Sequence, residues 1–135
     1  MKRIKIALLL LVPLLLTGCA STLKCEIETS NYNSKIKIKF EEDKPLTYKY
    51  KDEMVFNNNL STDSELYYHG QYSKYSYLIA EDIAKVTNFA NKVSVDINYN
   101  YNEKQSQYEN ILLISRNDTM KEATKKIESS GYKCK

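Results

Sequence analysis

The sequence predicts an α+β fold: a mainly antiparallel sheet in the order βββ-α-ββ-α-β, with one long and one short helix covering one face. Three observations predict it. Apolar and polar residues alternate over 23–28, 36–40, 46–50 and 93–101, the period of strands with one buried face. Short polar turns separate neighbouring alternating stretches, and such turns join antiparallel strands, whereas parallel strands need long crossovers. Between the third and fourth stretches, apolar residues recur at spacings of three and four, the mark of an amphipathic helix.

The first strand places Leu23, Cys25 and Ile27 on one face and Lys24, Glu26 and Glu28 on the other. Asn31-Tyr32-Asn33 marks a turn. Ile36, Ile38 and Phe40 then alternate with Lys35, Lys37 and Lys39. A two-residue loop at Tyr32-Asn33 sets Ile27 opposite Ile38 and Cys25 opposite Phe40 on the inside. It sets Glu28 opposite Lys37 and Glu26 opposite Lys39 on the outside, so apolar and charged pairs agree in one register. The lysine row then reads as a solvated sheet face. The alternative is a site for phospholipid or another polyanion, since anionic lipids attract nearby lysines.

Glu41 to Pro45 is a charged turn, and Leu46, Tyr48 and Tyr50 resume period two against Thr47, Lys49 and Lys51. This third strand runs on towards Phe56. Thr62-x-x-Glu65 has the form of a capping box, and a long helix is expected over roughly Ser64 to Asn91. Its apolar stripe is Tyr68, Tyr72, Tyr75, Ile79, Ile83, Val86 and Ala90, with Gly70 a weak point. Tyr67 and Tyr77 fall on the polar side. Exposed aromatics of this kind stack on sugars or anchor protein partners, so these two are the candidate partner-binding residues.

Val93, Val95, Ile97, Tyr99 and Tyr101 alternate with Ser94, Asp96, Asn98 and Asn100, the clearest strand in the chain. Tyr108 to Ser115 is expected as a central strand, because the run Ile111-Leu112-Leu113-Ile114 suits burial on both faces. Thr119-x-x-Glu122 is a second capping box. It opens a short helix with Met120, Ala123 and Ile127 on one face, and Gly131 closes it in the left-handed position. Tyr132 to Cys134 adds a brief edge strand.

Ahead of this domain, Lys2, Arg3 and Lys5 precede an apolar run from Ile6 to Leu16, and Thr17 and Gly18 lead to Cys19. This is the pattern of a secretory signal peptide. The run is too short to cross a bilayer, which takes about 20 apolar residues. Leu16-Thr17-Gly18-Cys19 resembles the bacterial lipobox. That resemblance implies a diacylglyceryl group on the Cys19 sulfur and cleavage after Gly18. Residues 1–18 are then the signal, 19–22 a lipidated anchor and short tether, and 23–135 one α+β domain. Two acyl chains hold a protein stably on a membrane without a spanning helix. The expected address is the extracytoplasmic face of the cell membrane.

The formal charge of +3 belongs to the signal. Loss of Lys2, Arg3 and Lys5 removes three of the 20 basic residues and leaves as many as the 17 acidic ones. A generally basic surface, and with it a nucleic-acid partner, is not expected. The abundance of Lys, Asn, Tyr and Ile fits an AT-rich genome. Two cysteines remain beyond Cys19. Cys25 and Cys134 sit at opposite ends of the domain, and an oxidising compartment favours a disulfide between them, two buried thiols being the other reading.

The mature chain resembles the YehR-like small lipoproteins. The likeness lies in the lipobox, the strands running on to a long amphipathic helix, and the end segment from Thr119-Met120 to Ser130-Gly131-Tyr132-Lys133. This resemblance implies a fold and an address, and no site residues or cofactor. The functional expectation is a membrane-anchored binding or protein-interaction module, not an enzyme, with an envelope protein or glycan as partner. A structural or stress-related envelope component is the alternative. A thiol hydrolase would need Cys25 or Cys134 within reach of His69, the single histidine. One histidine and two distant cysteines lack metal-ligand spacing.

Overall fold

The computed structural model describes residues 20–56 and 61–135. Strands β1 (Ala20–Glu28), β2 (Tyr32–Glu41) and β3 (Lys44–Val55) lead to helix α1 (Ser61–Ala80). Strands β4 (Ala84–Phe89) and β5 (Lys92–Asn100), a 3₁₀ segment (Ser106–Ile111), helix α2 (Met120–Ser129) and strand β6 (Lys133–Cys134) follow. The six strands form one antiparallel sheet in the order β4-β5-β3-β2-β1-β6. The α+β class and the order of elements are as the sequence predicts. The signal, the lipobox and Cys19 lie outside the described residues. Among those described, no helix is long and apolar enough to cross a membrane.

One face of the sheet carries the core. Leu23, Ile36, Ile38, Phe40, Tyr48, Val93, Val95, Ile97 and Tyr99 are buried there, together with Tyr75 and Leu78 from α1 and Ala123 and Ile127 from α2. Period two along the strands, broken by a register shift at Lys39/Phe40 in the β2–β3 pairing, sends the intervening residues to the other face. Helix α1 packs on β4 and β5, and α2 packs on β1 and β6.

The structure corrects several expectations. The β1–β2 loop is Ser30-Asn31 rather than Tyr32-Asn33, because Thr29 donates its N–H to the Tyr32 carbonyl at 2.8 Å. Ile38 therefore faces Leu23, Lys37 faces Lys24 and Lys35 faces Glu26. The slip is two residues on each strand, so every side chain keeps its face while every partner changes. Strand β1 begins at Ala20, opposite Glu41. The expected tether of 19–22 is thus strand from its second residue.

The long helix stops at Ala80. Asp82 adopts φ 58°, Ile83 donates back to the Leu78 carbonyl at 2.9 Å, and the chain re-enters the sheet as β4. Ile83 and Val86 are buried as expected, but by a turn and a strand. On α1 the inward residues are Tyr75 and Leu78, while Tyr72 is 44% exposed. Thr62 lies inside the helix, one residue past its start, and so is not its cap. The second capping box is present: Thr119 Oγ1 accepts from the Glu122 N–H at 3.2 Å, and Glu122 Oε2 accepts from the Thr119 N–H at 3.2 Å.

Tyr108 to Ser115 is not a strand. It runs as the 3₁₀ segment and irregular chain over the core face, with Leu112 and Ile114 buried. Its polar backbone finds partners other than a ladder. Tyr101 donates its hydroxyl to the Ile114 carbonyl at 3.2 Å. Arg116 donates to buried Glu109 through Nε at 2.8 Å and through its backbone N–H at 2.5 Å.

Candidate functional site

The outer face of the sheet is open and dominated by lysine. The antiparallel register stacks side chains into rows across the strands, about 4.8 Å apart from strand to strand. One row is Lys24 on β1, Lys37 on β2 and Lys49 on β3, each directly opposite the next. Lys135 extends it, since its N–H and carbonyl exchange hydrogen bonds with Lys24. The row ends on Asn98 of β5. No ion pair among the described residues reaches any of these four lysines.

The neighbouring row is mixed: Lys133, Glu26, Lys35, Lys51, Asp96 and Lys85 in order across the strands. The row on the other side carries Thr22, Lys39, Thr47 and Asn100. Lysines from β1, β2, β3 and the C-terminal segment line a cleft of about 580 Å³, hollowed by the sheet's twist. Like charges directly opposite destabilise a sheet. Here Lys24–Lys37, Lys37–Lys49 and Lys35–Lys51 are all such pairs. The expected compensation by Glu26 and Glu28 across the hairpin does not occur for Lys37 or Lys39. The face is solvated, as the sequence suggests, but it is not balanced.

On the core side, Tyr32, Tyr48, Tyr50, Tyr75 and Tyr132 surround a second cavity of about 250 Å³, with Lys74 at its edge. Buried Asp52 lies behind it. Its Oδ2 accepts from Tyr50 Oη at 2.5 Å and Tyr32 Oη at 3.3 Å, while Oδ1 has no hydrogen-bond partner. Burial raises the Asp52 pKa, and the two phenol donors pull it back. Burial and the adjacent Asp52 charge push the Tyr50 phenol far up, so it stays a donor. Tyr132 shares a 2.6 Å hydrogen bond with Ser34. The phenols of Tyr32, Tyr50 and Tyr132 are thus committed to internal partners.

The predicted site residues fall apart in space. Tyr67 is half-buried, edge-on to Phe56 at 5.5 Å between ring centroids, and burial raises its phenol to about 12. Tyr77 is 53% exposed and lies against Tyr108 at 5.3 Å. Ten residues of helix set the two roughly 15 Å apart along its axis, one packed on Phe56 and the other on Tyr108, so they do not form one contiguous pair. Cys25 and Cys134 are opposite each other on β1 and β6 and joined as a disulfide with S–S 2.06 Å. Neither thiol is therefore free to pair with His69, which is exposed on α1 beside the Tyr68 ring. Sequence reading missed Lys49, Lys51, Lys133 and Lys135 as members of the lysine face. Their alternation with Tyr48, Tyr50 and Cys134 was visible, but the adjacency of their strands was not.

No protein-family model matches the chain, and no functionally curated protein does. Two solved structures resemble it. The NMR structure of the Escherichia coli YehR protein matches with TM-score 0.58 at 13% identity, covering 84% of this chain and 89% of that one. An NMR structure of a Streptococcus pneumoniae protein matches with TM-score 0.48 at 12% identity, covering 88% and 87%. The first establishes a YehR-like fold.

Proposed function

We propose that this chain is an envelope-anchored binding module. A diacylglyceryl group on Cys19 holds it at the outer face of the cell membrane, and the lysine-bearing sheet face takes an anionic partner. The carrying observation is the uncompensated row of Lys24, Lys37, Lys49 and Lys135, a local concentration of positive charge on a domain whose basic and acidic residues are equal in number. An arrangement that costs folding energy and remains open to solvent is relieved when an anion binds. The lipobox pattern and the start of β1 at Ala20 support close attachment, with no slack between anchor and fold.

Two measurements test the two halves. Cys19→Ser should move the protein from the membrane to the soluble fraction, and retention in the membrane would overturn the anchoring half. Full chain in non-ionic detergent should bind phosphocellulose and elute at lower salt after Lys37→Gln/Lys49→Gln. Lys121→Gln/Lys125→Gln on exposed α2 positions is the control. Equal shifts for both variants would overturn the assignment to this face.

A further inference from the structure

We infer that the lysine row seats a linear phosphodiester polymer running across the strands. The inference rests on the reading of this face as an anion-binding surface. Three features define the occupant. First, the row is a line: Lys135, Lys24, Lys37 and Lys49 follow one another at single-strand spacing, about 15 Å from end to end. A linear chain of repeating charges matches a line of cations, whereas a lone anion would use one or two of them.

Second, the flanking rows are mixed. On one side Glu26 and Asp96 interrupt Lys133, Lys35, Lys51 and Lys85. On the other side a single lysine, Lys39, stands among Thr22, Thr47 and Asn100. The central row is the one run of lysines with no acidic or neutral residue between them, and that makes it the track. The cleft of about 580 Å³ over it receives a chain better than it receives a planar bilayer.

Third, the cations on the track are all lysine. Arginine's planar fork imposes bidentate geometry on carboxylate and phosphate alike, while lysine meets each phosphate as a point charge and tolerates a repeating chain without fixed orientation. The track carries no aromatic side chain, so it lacks the stacking platforms that hold bases. Recognition is of the phosphodiester backbone alone.

The test uses a fluorescent 12-unit oligomer of propanediol joined by phosphodiester links, with full chain in non-ionic detergent. Binding should weaken with salt at a log–log slope of about −3, as four neutralised phosphates predict for a single strand. Lys37→Gln/Lys49→Gln should weaken binding by more than about tenfold at low salt and flatten the slope by roughly 1.4. Its melting temperature should stay level or rise, because the substitutions remove like-charge pairs; a fall would mean the lysines serve folding and would overturn the inference. Unchanged affinity in that variant would overturn it as well. Vesicles of anionic phospholipid, compared with neutral ones, separate the remaining outcomes. Lysine-dependent vesicle binding with no oligomer binding overturns the polymer and leaves the anionic face standing. Binding of neither overturns both.

Discussion

Two aspartates pull acid stability in opposite directions. Asp52 is buried with one oxygen unpartnered, and burial holds its pKa above the unfolded value. The folded protein then binds the proton more tightly, so stability falls as pH rises from the unfolded to the folded pKa. The cost is absent below about pH 3.9 and complete above the folded value. Asp52→Asn keeps an acceptor for Tyr50 and Tyr32, so it should melt higher than the parent at pH 7 and lose that advantage near pH 3.5. Asp118 is the reverse. Burial would raise its pKa, but Lys126 at 2.7 Å and the Ser115 N–H at 2.8 Å outweigh it and hold the carboxyl down. Its contribution is present above the unfolded pKa and fades as pH falls through the folded one. Asp118→Asn should therefore melt lower at pH 7, with the deficit shrinking in acid. Thermal melts of both variants across pH 3 to 8 check the two signs together. Arg116 matters for a related reason: it meets Glu109, whose side chain is only 5% exposed. Arg116→Met removes the cation beside that carboxylate and leaves it the backbone N–H of residue 116, which should cost about 2–3 kcal/mol, on the order of 10 °C in Tm.

At the scale of elements, backbone geometry separates two glycines. Gly70 sits inside α1, where an added Cβ would touch nothing within 4 Å, so Gly70→Ala should raise stability by about 1 kcal/mol. Gly131 follows α2 at φ 96°, with Ile27 Cδ1 3.8 Å from an added Cβ. Space is adequate there and the dihedral is not, so Gly131→Ala should lower stability by about 1 kcal/mol or more. Urea titration of both variants reads the opposite signs. The C-terminal turn was legible in the sequence because capping box, apolar spacing and glycine all agreed on α2. The second half of α1 was not. Ile83, Val86 and Ala90 satisfy helical spacing, yet Ala84 and Val86 satisfy period two equally well. A left-handed Asp82 decides between them, and nothing in an aspartate forces that conformation. The run Ile111-Leu112-Leu113-Ile114 was legible as buried but not as irregular, because a hydroxyl that satisfies its backbone in place of a ladder comes from Tyr101, just past the end of β5. The lysine face was half legible. Alternation told which side Lys24, Lys37 and Lys49 occupy, whereas their opposition depends on a turn two residues from where Asn31-Tyr32-Asn33 suggested it.

For the molecule as a whole, the disulfide links stability to the lysine face. It closes a separation of 109 residues, for which the loop-entropy model gives about 4–5 kcal/mol before native strain. Its structural reach is narrower than that figure suggests. Strands β1 to β5 make their own ladder, while β6 contributes only Lys133 and Cys134, paired to Glu26 and Cys25. Two-residue pairing at a sheet edge is marginal without a covalent link. Cys25→Ala/Cys134→Ala should therefore lower the urea midpoint while leaving a folded five-stranded core. It should also release the C-terminal segment, which carries Lys135 from the end of the lysine row and Lys133 from the row beside it. Elution from phosphocellulose should then move to lower salt, and the salt slope for the phosphodiester oligomer should flatten by about 0.7 for each lysine withdrawn. The parent treated with a thiol reductant should reproduce both shifts, and reoxidation should reverse them. A lower midpoint with unchanged elution would mean that β6 holds its place without the bond. The lysine row would then be a property of the sheet alone, independent of the redox state of the cysteines.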